Sequence, residues 1–269
     1  MKLKHFALLF FIGASFASTC YAGHHKKDEH KSQKTISLFN GKNFDGWYVI
    51  SRKEGVLKAA DEKYFKVKKG GIIHVYPTQK DGSEQSYAGL ITHKSYSRYK
   101  LSLEYKWGKR KFIPRADRVR DAGVLFHVHG PDIIWPLSVE MQIQEGDTGD
   151  IWAIGTRVTS KINSTILNYD PNGEPVTRGS PDTHFSRFHR SYSWDIPGWN
   201  KIEIIVDGDH AKYYANGQLV NEAIDMKYWD STRGAKGQAG SWKKLEKGKI
   251  LIQAEGAELF YRNIELTPL

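Results

Sequence analysis

The sequence predicts an all-β domain over residues 35–269, and three observations carry that prediction. From Thr35 onward no run keeps the period of an amphipathic helix. Short runs rich in β-branched and aromatic residues recur between Gly, Asn, Asp and Pro punctuation. Lys69-Gly70-Gly71, Asp207-Gly208-Asp209 and Asn216-Gly217 suit hairpin turns, because they tolerate the positive φ that tight connections need. Antiparallel strands in this number close into a barrel or pair as a sandwich.

Ahead of that domain, Lys2 and Lys4 precede an apolar run from Phe6 to Phe16 and then small or polar residues. This is the layout of a secretory signal peptide over 1–22, and the run is too short to span a bilayer. Cleavage after Ala22 is expected, with a lipoprotein cut before Cys20 as the rival; the export route implies a secreted or periplasmic protein. Cleavage removes the chain's single Cys, so no disulfide framework exists. Residues 23–34 read as a solvated, charged, His-rich linker, with loose metal binding as the alternative.

Composition narrows the function classes. A chain of 269 residues with 39% hydrophobic side chains is neither disordered nor fibrous. Without Lys2 and Lys4 the formal net charge of +10 becomes +8, and without the four lysines and two acids of 23–34 it becomes +6. The remaining surplus is spread widely, whereas a nucleic-acid binder clusters its bases on one face. Nucleic acid is therefore not expected as a partner.

Within the domain, alternation assigns faces. In Leu101 to Trp107 the odd positions are apolar and the even ones polar, which describes a half-buried strand. In Gly123 to His129, Val124, Phe126 and Val128 fall on one side and Leu125, His127 and His129 on the other. In Val139 to Glu145, Val139, Met141 and Ile143 face the core while Glu140, Gln142 and Gln144 face away. Gln253 and Glu255 lie opposite Ile252 and Ala254. Neighbouring strands thus present His, Glu and Gln side chains on the face turned from the core. The stretch 157–199 has almost no period and much Pro, Gly, Asn and Ser, as functional walls and lids do. Its aromatics Tyr169, Phe185, Tyr192 and Trp194, together with Trp152, are candidates to stack on a bound ligand, while His184 and His189 read as ordinary polar residues.

The motifs, taken in order, resemble those of the 3-keto-disaccharide hydrolase domain family. They are SLFNGKNFDGW at 37–47, GGIIHV at 70–75, AGLITHKSYSRYKLSLEYKW at 88–107 and DAGVLFHV at 121–128, then VEMQIQE at 139–145 and TGDIW at 148–152. After the long stretch follow GWNKIEIIVDG at 198–208, YANGQLV at 214–220 and ILIQAEGAELFYRNIEL at 250–266. Two departures stand out: Asp121-Ala122-Gly123 replaces the usual Asn-Ser-Gly, and His127 replaces a frequent Arg.

The resemblance implies a concanavalin A-like jelly roll of two antiparallel sheets, with carbohydrate bound on a concave face bordered by long loops. It also implies cleavage of glycosides already oxidised at carbon 3 by a partner sugar 3-oxidoreductase. A ketone at carbon 3 acidifies the hydrogen on carbon 2, so a modest base removes it and the group on carbon 1 is expelled. Glu140 or His127 is the expected base, with Glu145 and His129 as acid, ligand or orienting group. His129, Gln142, Trp152, Gln253 and Arg262 are expected to contact substrate, although Arg262 also suits a tie between strands. A divalent cation is a further candidate, held by His127, His129, Glu140 and Glu145, whose spacing matches no stringent metal motif. Two other functions are consistent with these residues: a carbohydrate-binding module without turnover, and an ordinary two-carboxylate glycosidase. The odd offset between Glu140 and Glu145 sends them to opposite faces of an unbroken strand and weighs against the second.

Overall fold

Alternating sequence of this kind must bury one face of each strand, and the computed structural model shows how it does so for residues 34–57, 62–232 and 240–269. The leader over 1–22 with Cys20, and the linker up to Gln33, lie outside the described residues. In chain order the first strands are β1 (Ile36–Ser37), β2 (Trp47–Ser51), β3 (Gly55–Leu57), β4 (Phe65–Lys68), β5 (Ile72–Val75) and β6 (Ala88–Thr92). Then come β7 (Arg98–Lys111), β8 (Asp121–His129), β9 (Leu137–Gln144), β10 (Ile151–Ile154), β11 (Thr156–Ile162) and β12 (Glu174–Arg178). The last are β13 (Phe185–Phe188), β14 (Asn200–Asp207), β15 (His210–Ala215), β16 (Gln218–Asp230), β17 (Ser241–Lys244), β18 (Lys249–Ala254) and β19 (Ala257–Pro268). No helix occurs among the described residues, so none there is long and apolar enough to cross a membrane.

The strands form two antiparallel sheets. One has eleven strands, in the order β12-β11-β16-β15-β14-β7-β19-β5-β4, with β1 on β19 and β17 on β16. The other has eight, in the order β13-β10-β9-β8-β18-β6-β2-β3. The hairpin signals sit where the sequence puts them: Gly70, Gly71, Gly208, Asn216 and Gly217 all have positive φ.

The core lies between the sheets. From the eleven-stranded sheet it receives Leu101, Leu103 and Tyr105 of β7 and Ile202, Ile204 and Val206 of β14. From the eight-stranded sheet it receives Val124, Phe126, Val139, Met141, Ile143 and Ile252. The other face of the eight-stranded sheet carries a second apolar cluster, including Ile50, Ile91, Leu125, Val128 and Leu251. Ile134 and Trp135, from the connection between β8 and β9, pack against it. That connection is tied down by Asp132, which accepts from the Tyr48 hydroxyl at 2.7 Å and pairs with Lys249 Nζ at 3.2 Å. One half of this face is thereby roofed, and the polar half stays open.

Near the site, β8 departs from simple alternation. The register between β8 and β9 shifts between Phe126 and His129, and His127 has φ +53°. This bulge exchanges the sides of His127 and Val128, so Val128 joins the outer cluster and His127 turns inward.

Candidate functional site

The open half of the eight-stranded sheet is built by register. Glu140 of β9 sits opposite Leu125 of β8 and Trp152 of β10. Gln142 sits opposite Gly123, and Gln144 opposite Asp121. Period-two alternation then puts Asp121, Glu140, Gln142 and Gln144 on one side, joined by Glu255 just beyond β18. Two connections complete the hollow: 112–120 brings Arg115 and Arg118, and the one after β8 brings Trp135. With Tyr87, Trp152 and Phe185 as an aromatic wall, these groups line a cavity of about 370 Å³. The rings touch in series, Tyr87 to Trp135 at 5.3 Å, Trp135 to Phe185 at 5.8 Å and Phe185 to Trp152 at 6.1 Å.

The wall is braced from behind. Asp150, fully buried, accepts from Arg187 Nε at 2.6 Å and from the backbone N and Nη1 of Arg190 at 2.8 and 3.0 Å. The same Arg187 stands 5.3 Å over the Trp152 ring. The end of the long stretch is thus clamped to the start of β10, which explains why an aperiodic segment can hold Phe185 in place.

Charge in the hollow is unbalanced. Asp121, Glu140 and Glu255 are all buried, and Arg115 serves two of them, contacting Asp121 and lying 3.6 Å from Glu255. Asp121 also accepts from Gln142 Nε2 at 2.8 Å. Burial raises the carboxyl of Asp121 although Arg115 pulls it down. Burial and Asp121 raise that of Glu255, again against Arg115. Burial, then Glu255 and Asp121, push Glu140 well above the ordinary carboxylate range, with no cation opposing. Desolvation and like charge both favour the neutral acid. The arrangement sets Glu140, whose surroundings favour the neutral acid, next to a carboxyl pair that shares one guanidinium.

The expected site residues divide. Glu140, Gln142 and Trp152 line the cavity, and Gln253 abuts Glu140 beside Gly123. His127 does not: the bulge carries it beneath the sheet, where its Nε2 bonds the Gly208 carbonyl at 2.8 Å and its ring meets Phe126. Burial lowers its pKa to about 4. His129 lies at the strand end, packed on Tyr228 with centroids 5.0 Å apart. Glu145 pairs with Arg120 and borders a separate cavity with Asp195. Arg262 belongs to the eleven-stranded sheet, bonding Glu104 at 2.6 Å and stacking 3.9 Å over Trp199, which makes it the tie between strands.

The four candidate metal ligands are therefore not gathered, since a bulge removes His127 and the odd offset removes Glu145. Among the described residues no three His, Cys, Asp or Glu side chains are placed to hold an ion. Of the loop residues, Phe185 reaches the cavity, Tyr169 is buried, and Tyr192 and Trp194 are exposed elsewhere. His184 packs on Phe185 at 4.2 Å, and His189 lies 3.4 Å from Asp150. Alternation missed Arg115, Arg118, Tyr87 and Trp135, which come from irregular segments. Asp121 was within reach, being two residues before Gly123 on the same face.

Comparison with known proteins adds the following. The family model described as a 3-keto-alpha-glucoside-1,2-lyase-like domain matches residues 34–267. Among solved structures, the chain is similar to a candidate glycosyl hydrolase from Parabacteroides distasonis ATCC 8503, at 18% identity and TM-score 0.49, covering 87% of this chain and 94% of that one. It is also similar to the carbohydrate binding module CBM66 from Bacillus subtilis, at 10% identity and TM-score 0.44, covering 82% and 94%. For the β-glucanase of Bacillus licheniformis the values are 12% and 0.42, covering 90% and 100%. No curated protein matches the chain.

Proposed function

The chain belongs to the 3-keto-alpha-glucoside-1,2-lyase-like family, and from that membership we propose that it cleaves glycosides whose sugar carries a ketone at carbon 3. The observation that supports this reading is the single hollow in which Asp121, Glu140 and Glu255 meet Arg115 under an aromatic wall. The ionised member of the Asp121 and Glu255 pair takes the proton from carbon 2. The C–H electron pair passes into the ketone as an enolate, whose oxygen faces Arg118. When those electrons return to form the double bond between carbons 1 and 2, the bond from carbon 1 to the leaving oxygen breaks. That oxygen takes the proton of Glu140. Water then adds across the double bond, hydroxyl to carbon 1 and proton to carbon 2, giving the free 3-keto sugar. Trp152 and Phe185 stack on the substrate while Gln142 and Gln144 meet its hydroxyls.

The ketone has to be supplied by an oxidoreductase acting on carbon 3 of the sugar. The pattern of residues 1–22 extends the proposal to an exported protein, periplasmic or secreted. N-terminal sequencing of the mature protein is expected to begin at Gly23.

The test is release of a chromogenic group from a 3-keto-glucoside. Wild-type protein turns it over and leaves the unoxidised glucoside intact. Glu140→Gln lowers kcat by roughly 10²–10⁴ while the 3-keto sugar still binds by calorimetry. Binding with no release would make the protein a carbohydrate-binding module, and equal release from the unoxidised glucoside would make it an ordinary glycosidase.

A further inference from the structure

Beside Gly123, two buried oxygens find no hydrogen-bond partner among the described residues: Oε1 of Glu140 and Oε1 of Gln253. They crowd one spot. A side chain at Gly123 would put its Cβ 1.8 Å from the first and 2.7 Å from the second. Gly123 lies on β8 between the two strands that carry them, opposite Gln142 of β9 and level with Gln253 of β18, since Val124 pairs with Ile252. The missing side chain at 123 is what lets Glu140 and Gln253 meet across the intervening strand.

Both residues are fixed from below. The Tyr213 hydroxyl donates to the backbone carbonyl of Glu140 at 3.3 Å, and the Tyr261 hydroxyl to that of Gln253 at 3.0 Å. Neither backbone segment can withdraw without disturbing a bond that crosses the core.

Two facing acceptors with no donor between them repel, and each buried unsatisfied acceptor costs about 1–3 kcal/mol. One proton satisfies both. We propose that Glu140 carries its proton on the oxygen facing Gln253 and donates it to Gln253 Oε1, so that Gln253 is a positioning residue that holds the acid's proton ready for the leaving oxygen. This rests on the reading of Glu140 as the acid. The surroundings favour it: Glu255 and Asp121 are the charged groups that act on Glu140, Tyr213 and Tyr261 lie beneath, Trp152 flanks it from β10, and Arg115 is committed to the other two carboxyls.

The rival arrangement turns the Gln253 amide over, so that Nε2 donates to an ionised Glu140. Infrared difference spectra of substrate-free protein at neutral pH separate the two. Wild type minus Glu140→Gln is expected to show the C=O band of a protonated, hydrogen-bonded carboxyl. In Gln253→Met, which keeps the length of the side chain and removes the acceptor, that band moves to the higher frequency of a free carboxyl. Gln253→Glu, neutral in this burial, restores the bonded position. The kcat of Gln253→Met on the 3-keto-glucoside falls about tenfold, equivalent to one hydrogen bond of about 1.4 kcal/mol, with KM little changed.

Absence of a band dependent on Glu140, or a band that ignores the change at Gln253, overturns the inference. If Gln253→Met does not fold, the difference between wild type and Glu140→Gln decides alone. Because the spectra need no substrate, a protein without turnover that still shows the bonded carboxyl would sink the lyase reading and leave the proton where it is placed.

Discussion

At Glu140, burial and two neighbouring carboxyls act in the same direction, raising it well above its ordinary 4.5. A carboxyl raised on folding contributes stability that is complete below its unfolded value and is lost as pH climbs toward its folded value. Glu140→Gln removes that dependence. Its Tm should equal that of wild type at about pH 4 and exceed it at about pH 8, by roughly 2–4 °C per kcal/mol recovered. Calorimetry at the two pH values measures this, and a lower Tm at the higher pH would contradict a protonated carboxyl. His127 is the opposite case, a neutral imidazole that donates to the Gly208 carbonyl and leaves its Nδ1 buried with no partner among the described residues. His127→Ala is expected to cost about 1–3 kcal/mol of stability and to leave kcat/KM within about threefold. A hundredfold loss would return His127 to the chemistry. Alternation could place Glu140, Gln142 and Gln253 because their strands run without interruption there. It misplaced His127 because the residue takes φ +53° without a glycine to announce the bulge.

Among the elements, β8 decides how closely the site strands' side chains approach. Gly123 keeps an ordinary φ, and what it contributes is space. Gly123→Ala drives a methyl into Glu140, so we expect kcat to fall by about 10² for a displacement on the order of 1 Å. Overpacking should cost a further 1–3 kcal/mol or so in stability. Urea unfolding and the chromogenic assay measure the two separately, and full activity would show that Glu140 does not depend on that space. The strands, their hairpins and the split of faces were legible in the sequence, since period and turn chemistry are local. The connections were not. Arg115 enters because Phe112 N bonds the Gly256 carbonyl at 2.9 Å and lays 112–120 along the end of β18. Nothing in the order of residues shows such a long-range contact.

Across the whole molecule, the sheet that carries none of the cavity's carboxyls still sets where they stand. Tyr213 and Tyr261 project from β15 and β19 through the core to the backbone of Glu140 and Gln253. Tyr76 does the same for Ala254 at 2.8 Å. Tyr261→Phe removes one hydroxyl and leaves the shape, so its expected cost is about 1–3 kcal/mol, in a single urea transition because both sheets share one core. Turnover should fall with it by several-fold, and an unchanged kcat would show that the cross-core bond serves stability alone. Transplanting β8, β9 and β18 into another sandwich would carry the carboxyls across but not the hydroxyls that seat them. A graft that keeps its function has to bring partners from the far layer too, so in this protein the two layers are inherited together.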